Sequence, residues 1–322
     1  MRWILYGIIL VVFLVAIPTL VGQALVEQFL FAGAASSRDH AIPAIDEEIA
    51  PHEEVWLTTA DGTKIVAWYF PAPDAPNTST PNTSNPNTSV TESSVTESSV
   101  TAPTVTNTEI TASDDSSPIR RYPPILYSHG NGGNLRGWSQ HVAEIQRRIP
   151  VSILIYDYRG YGRSEGEPTV PGVLDDARTA SVWLCERERC RPDEIVYYGR
   201  SLGGGVAVRM ASEMDAAGLV VESSFASVSA MVRQTVPLLP FPASWLVRSD
   251  LHSVENIRRY EGPFLQSHGD GDRLIPYEQA QELYRAAPGP KRFVTIPGGD
   301  HNDPQTEEFY EALEEFLRGL RP

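Results

Sequence analysis

The sequence predicts an α/β fold, a mostly parallel central sheet with helices on both faces. Three observations predict it. First, from residue 124 onward short apolar runs alternate with longer amphipathic stretches, the signature of parallel strands joined by crossover helices. Second, those runs (Ile125-Leu126-Tyr127, Ile153-Leu154-Ile155-Tyr156, Gly218-Leu219-Val220-Val221) are apolar throughout, as buried parallel strands are. Third, Gly199-Arg200-Ser201-Leu202-Gly203 stands between such a run and a glycine-rich helix start. A G-x-S-x-G at a strand-to-helix turn is a nucleophile elbow. With 322 residues and 41% apolar content, the chain can bury one large α/β core.

Taken in order, Trp3 to Gly22 is an uncharged run of 20 residues preceded by Arg2, long enough to cross a bilayer as a helix. It exceeds a usual signal-peptide core, which favours a retained anchor (residues 1–25) over a cleaved signal peptide. Only Arg38 follows nearby, and the expected location is a single-pass membrane protein with its catalytic domain on the extracytoplasmic side. Residues 26–51 read as a juxtamembrane stem, and residues 52–322 as the folded domain. Glu53 to Thr58 alternates polar and apolar side chains, Asp61-Gly62 is a hairpin turn, and Lys64 to Phe70 is the returning strand. A Ser/Thr/Pro/Asn tract follows over residues 71–118. It holds Asn-Thr-Ser from Asn77, Asn82 and Asn87, and Val-Thr-Glu-Ser-Ser from Val90 and Val95. Such a tract buries too little apolar surface to order itself, which predicts a disordered insert.

After the insert the expected strands are Pro124–Ser128, Val151–Tyr156, Glu194–Tyr198, Gly218–Glu222, Pro263–Ser267 and Arg292–Ile296. The expected helices are Leu135–Arg148, Val173–Glu186, Gly203–Met214, Tyr277–Ala286 and Asp303–Leu320. Ligands of such sheets bind beyond the carboxyl ends of the strands, where each group considered next is placed.

A neutral serine hydroxyl needs a base. Of the seven histidines, His301 lies in Pro297-Gly298-Gly299-Asp300-His301-Asn302-Asp303, a loop after the last strand that gives it reach toward Ser201. His129 and His268 also end strands and are rivals. His129 opens His129-Gly130-Asn131-Gly132-Gly133-Asn134, a glycine-rich stretch able to offer backbone N–H groups to an oxyanion. His268 is followed by Gly269-Asp270-Gly271-Asp272, which supplies two carboxylates; position alone does not choose between Asp270 and Asp272 as the acid that orients the base. The order Ser, Asp, His suits an α/β-hydrolase.

Taken together these blocks resemble the α/β-hydrolases of the Bem46 type, a group of membrane-associated serine hydrolases. The blocks are His129–Asn134, Asp157–Ser164 (Asp-Tyr-Arg-Gly-Tyr-Gly-Arg-Ser), Gly199–Gly204, Glu222–Phe225, His268–Asp272 with Ile275-Pro276, and Gly298–Asn302. They run in family order from about residue 52 to the C-terminus. The resemblance implies an α/β-hydrolase fold with a small cap, and a triad of Ser201, Asp272 and His301. It implies oxyanion donation from the backbone N–H groups of Asn131 and Leu202. The chain departs from the family in its insert and in carrying Asp270 where relatives often have a neutral residue. Arg159 is a candidate for holding a substrate anion, with a loop-fixing role as the alternative, and Asp270 is a second candidate beside the substrate. Pro237 to Trp245, apolar and proline-rich, is the expected cap.

A net charge of −15 excludes a nucleic-acid partner. No Cys/His cluster with ligand spacing occurs, so no structural zinc site is expected, and the triad chemistry needs no metal or organic cofactor. Cys185 and Cys190 could pair only if a helix ends between them. The expected activity is hydrolysis of an ester, thioester or amide through an acyl-enzyme. Its partner would be an acyl-bearing small molecule, a lipid or an acylated protein. The alternatives are a peptidase resembling the prolyl oligopeptidase group and a membrane-tethered binding module without activity.

Overall fold

A computed structural model describes residues 50–73, 122–235 and 251–320, together with residues 24, 27, 28 and 30–38. The uncharged N-terminal run, the insert from residue 74 to 118 and the proline-rich 237–245 segment lie outside the described residues. No helix among the described residues is long and apolar enough to cross a membrane.

The sheet begins with a hairpin. Strands β1 (Glu53–Thr58) and β2 (Lys64–Phe70) are antiparallel, joined through Gly62 at φ +87°. That positive φ is costly for any residue with a Cβ and explains the glycine at the turn. The remaining strands are β3 (Ile125–Ser128), β4 (Ile153–Tyr156), β5 (Val196–Arg200), β6 (Gly218–Glu222), β7 (Phe264–Gly269) and β8 (Lys291–Ile296). All eight lie in one sheet in the order β1-β2-β4-β3-β5-β6-β7-β8. β2 meets β4 antiparallel, and every pairing from β4 to β8 is parallel. The strand order reverses around β3, which makes the carboxyl ends of β3 and β5 the place for a site.

The helices are α1 (Ala32–Arg38), α2 (Leu135–Arg148), α3 (Val170–Glu188), α4 (Leu202–Met214), α5 (Val228–Thr235), α6 (Ser253–Ile257), α7 (Tyr277–Ala286) and α8 (Glu307–Gly319). Strand period sorts the core into two layers. Leu126, Tyr197, Leu219 and Val221 pack with Leu174 and Leu184 of α3 and Val206 of α4. Their neighbours Ile125, Tyr127, Val196, Tyr198 and Val220 point the other way, onto Val142 of α2 and Leu313 of α8. Consecutive residues thus face opposite helical layers, which is why the strands read as unbroken apolar runs.

Most element boundaries agree with expectation, and the exceptions have local causes. α3 starts three residues early because Thr169 caps it, its side chain accepting from Gly172 N–H at 3.2 Å. α8 starts at Glu307, behind the Thr306 cap, because the Asp303 carboxylate turns back to accept Asp300 N–H at 2.8 Å. Three helices, α1, α5 and α6, have no counterpart in the sequence reading. α3 does end between the two cysteines, with Arg189 left-handed at φ 52°, and Cys190 N–H donates to Cys185 O at 3.0 Å. No disulfide joins the two cysteines.

Candidate active site

β5 runs to Arg200 and α4 begins at Leu202, so Ser201 carries the whole turn. Its φ of 54° and ψ of −117° form the strained conformation expected at an elbow. The strain is held from both sides. Ser201 N–H donates to Glu222 O at 2.9 Å, and Ser224 Oγ donates to Ser201 O at 2.7 Å. The flanking glycines are required by close approach. A Cβ on Gly199 would lie 2.0 Å from Gly203 O, and one on Gly203 would lie 1.9 Å from Ser128 O. Gly203→Ala is therefore expected to cost about 3 kcal/mol or more, lowering Tm by roughly 6–12 °C. A thermal melt within about 2 °C of wild type would show that the turn can absorb the methyl group.

Beyond β8, His301 reaches the serine: its Nε2 stands 3.0 Å from Ser201 Oγ. Its Nδ1 stands 2.8 Å from Asp272 Oδ2. A carboxylate oxygen only accepts, so Nδ1 carries the proton and Nε2 is left to accept from the serine hydroxyl. Asp272 is itself tied down. Its Oδ1 accepts the backbone N–H groups of Leu274 and Ile275, each at 2.8 Å. Burial pushes the Asp272 carboxyl up, but hydrogen bonds from His268, His301 and Ile275 N–H outweigh it and hold it well below the usual carboxylate range. The anion is thus secured where it can stabilise a positive imidazole.

The structure separates the candidates that sequence left open. Asp270 is exposed and accepts Gly298 N–H, whereas Asp272 is the carboxylate that meets His301. His268 is buried, with Nε2 donating to Ile275 O at 2.8 Å and lying 3.2 Å from Asp272 Oδ2, so it braces the acid. His129 is buried too, with Nε2 3.4 Å from Asp157 Oδ1 and its ring packed on Tyr158. Arg159 is placed among carboxylates. Its Nε donates to Asp176 Oδ1 at 2.9 Å and one Nη donates to Asp61 Oδ2 at 2.7 Å. That arrangement fits the loop-fixing alternative, tying the segment after β4 to α3 and to the β1–β2 turn, and leaves its charge already neutralised.

The glycine-rich loop after β3 passes directly beside the nucleophile: a Cβ on Gly130 would lie 3.5 Å from Ser201 Cβ. Leu202 opens α4, where helix N–H groups lack intrahelical partners and the helix dipole is positive. Both backbone donors named from sequence therefore belong to segments flanking Ser201. No cluster able to hold a metal ion occurs among the described residues.

Sequence reasoning missed Arg200. Its guanidinium donates to His301 O at 3.0 Å and Asp303 O at 3.3 Å, binding the histidine loop to the elbow strand. Behind it lies Glu222, fully buried, with Arg200 Nη1 at 3.8 Å, His141 Nε2 at 3.2 Å and the Tyr198 hydroxyl donating to it. Burial raises the Glu222 carboxyl, yet the facing His141 and Arg200 charges pull it down to about 2. A depressed folded-state value adds stability above about pH 4.5, lost as pH falls toward 2. Glu222→Gln should lower Tm at pH 7 and flatten the loss of stability between those pH values, as read by urea unfolding; an unchanged acid limb would remove Glu222 from the acid response. The available signal was a charged residue on each of two adjacent, otherwise apolar strands, since buried charge demands a partner.

A mostly parallel eight-stranded sheet with Ser201, His301 and Asp272 in contact at its carboxyl edge defines an α/β-hydrolase. The chain belongs to the alpha/beta hydrolase family, whose model matches residues 125–264, and it is a hydrolase. Among curated proteins it is similar to the uncharacterized Rv2307c of Mycobacterium tuberculosis, 35% identical over 198 residues covering 61% of this chain and 69% of that protein. It is also similar to bem46 of Schizosaccharomyces pombe, 30% identical over 207 residues covering 62% and 69%. Among solved structures, the Pyrococcus furiosus esterase Pf2001 shares the fold, with a TM-score of 0.57, 17% identity and coverage of 84% of this chain and 91% of that one.

Proposed function

We propose that this protein is a membrane-anchored serine hydrolase that cleaves an acyl ester or thioester through an acyl-enzyme at Ser201. The observation that carries this reading is His301, held between Ser201 Oγ at 3.0 Å and Asp272 Oδ2 at 2.8 Å. Ser201 Oγ attacks the acyl carbonyl while His301 Nε2 takes its proton. Asp272 stabilises the resulting imidazolium and keeps its own charge. The carbonyl oxygen becomes an oxyanion facing the N–H groups of Leu202 and Asn131. As the tetrahedral adduct collapses, His301 returns the proton to the leaving alcohol or thiol. Water then attacks the acyl-serine with His301 again as base, releasing the acid. The triad chemistry extends to amides, but the likeness in fold to the Pyrococcus furiosus esterase Pf2001 favours oxygen or sulfur leaving groups.

The membrane part of the reading rests on the uncharged Trp3–Gly22 run, and the substrate would be a lipid, a small acyl ester or an acylated protein met at the membrane on its extracytoplasmic side. The test is turnover of p-nitrophenyl esters of increasing acyl length, together with labelling by a fluorophosphonate probe. Turnover and labelling of the full chain support the reading. Loss of both would leave a binding module on a hydrolase fold. Retention of the full chain in membranes washed with alkaline carbonate supports the anchor, and release into the wash overturns it.

A further inference from the structure

Residues 26–51 were expected to form a juxtamembrane stem. Its described part docks on the loop that flanks Ser201. Leu30, Phe31 and Ala34 are buried and join the core layer that contains Tyr158 and Tyr161. Gly33 N–H donates to Asn131 Oδ1 at 3.1 Å, and the Tyr161 hydroxyl donates to the same oxygen at 2.8 Å. The approach leaves no room for a side chain: a Cβ on Gly33 would stand 1.5 Å from Asn131 O and 2.6 Å from Asn131 C. Ser37 O accepts from Asn134 Nδ2 at 3.1 Å, while Ser37 Oγ accepts Gly162 N–H at 3.3 Å. Arg38 Nε donates to Gly160 O at 2.7 Å, and its Nη2 donates to Gly166 O. α1 therefore bridges two loops, 130–134 after β3 and 160–166 after β4.

We propose that this stem helix is a working part of the catalytic site, and that Gly33 is a positioning residue for the Asn131 oxyanion donor, a role that rests on the hydrolase reading of Ser201. The physical reason is that a four-residue glycine-rich turn, Gly130–Gly133, has little conformational restraint of its own. A hydrogen-bond donor stabilises an oxyanion only if its direction is set before charge develops. Gly33 and Tyr161 set it by gripping the side chain of the donor residue itself, and the packed backbone of Gly33 sets the tilt of the peptide that follows. Effects on such a donor fall on kcat, because the oxyanion exists only in the transition state.

The experiment uses the full chain and p-nitrophenyl butyrate. Gly33→Ala improves helix propensity but forces its methyl group into the Asn131 carbonyl. It should lower kcat about 10- to 100-fold with KM within about twofold, and slow fluorophosphonate inactivation in parallel. Arg38→Ala, which adds no volume, should show the same split at smaller amplitude and serves if Gly33→Ala does not fold. Ala35→Ser, on the exposed side of the same helix, should match wild type. Wild-type kcat in both Gly33→Ala and Arg38→Ala would overturn the proposal. A raised kcat would overturn it as well, making the helix a covering strap. Wild-type turnover in Ser201→Ala would instead overturn the hydrolase reading, and this role with it.

Discussion

Ser201→Ala is expected to lower kcat for a short-chain p-nitrophenyl ester by about four to six orders of magnitude, while leaving Tm within a few degrees of wild type. The effect is large because the hydroxyl and its base act as a unit: without Oγ there is no covalent intermediate, and His301 at 3.0 Å has no proton to take. Residual rate would come from water attacking a carbonyl still held against the oxyanion donors. Removing an oxygen from a side chain at φ 54° changes no packing contact, so stability is a clean control. Fluorophosphonate labelling should vanish in the same variant. A Ser201→Ala protein that labels like wild type would place the nucleophile elsewhere.

The second large effect separates two carboxylates two residues apart. Asp272→Asn should lower kcat by about 10⁴-fold, since an amide can present its N–H to His301 Nδ1 and turn the imidazole into the wrong tautomer. Asp270→Asn should stay within about threefold, because its partner is Gly298 N–H and an amide oxygen accepts that bond equally well. The acid is distinguished by what surrounds it. Asp272 is buried under His268 and His301 with two backbone N–H groups on Oδ1, whereas Asp270 lies at the exposed turn of the loop. If Asp270→Asn were the damaging change, the loop would have to rotate during the reaction.

The central strands were legible as short apolar runs bounded by turn residues, and the β1–β2 hairpin as alternating polar and apolar side chains around Asp61-Gly62. The elbow was legible because glycine at both flanks of a serine is a local requirement, confirmed by the 2.0 Å and 1.9 Å approaches at Gly199 and Gly203. His301 and the acid loop were found as groups placed after strands, with His129 and His268 as rivals, and their roles came from the resemblance to Bem46-type hydrolases. Less legible were the partners of Arg159 and Arg200. An arginine after a strand reads the same whether it meets a substrate anion or a buried aspartate 17 residues on. The docking of α1 was not legible at all: Ala-Gly-Ala-Ala-Ser-Ser has no amphipathic stripe to announce a buried face, and its small residues matter only against the loop they approach.

The sequence by itself determined the fold class, the strand–turn–helix that presents Ser201, and the order in which nucleophile, acid and base occur. The first two are set by periodicity and by steric demands confined to a few neighbouring residues, and the third is what the resemblance to Bem46-type hydrolases implies. Only the tertiary structure decided which carboxylate faces His301, that Arg159 is neutralised by Asp61 and Asp176, that Arg200 braces the histidine loop with Glu222 beside it, and that the stem grips Asn131. Each of those depends on contacts between segments far apart in the chain. Their distances follow from how sheet, loops and helices pack, and no local pattern encodes them.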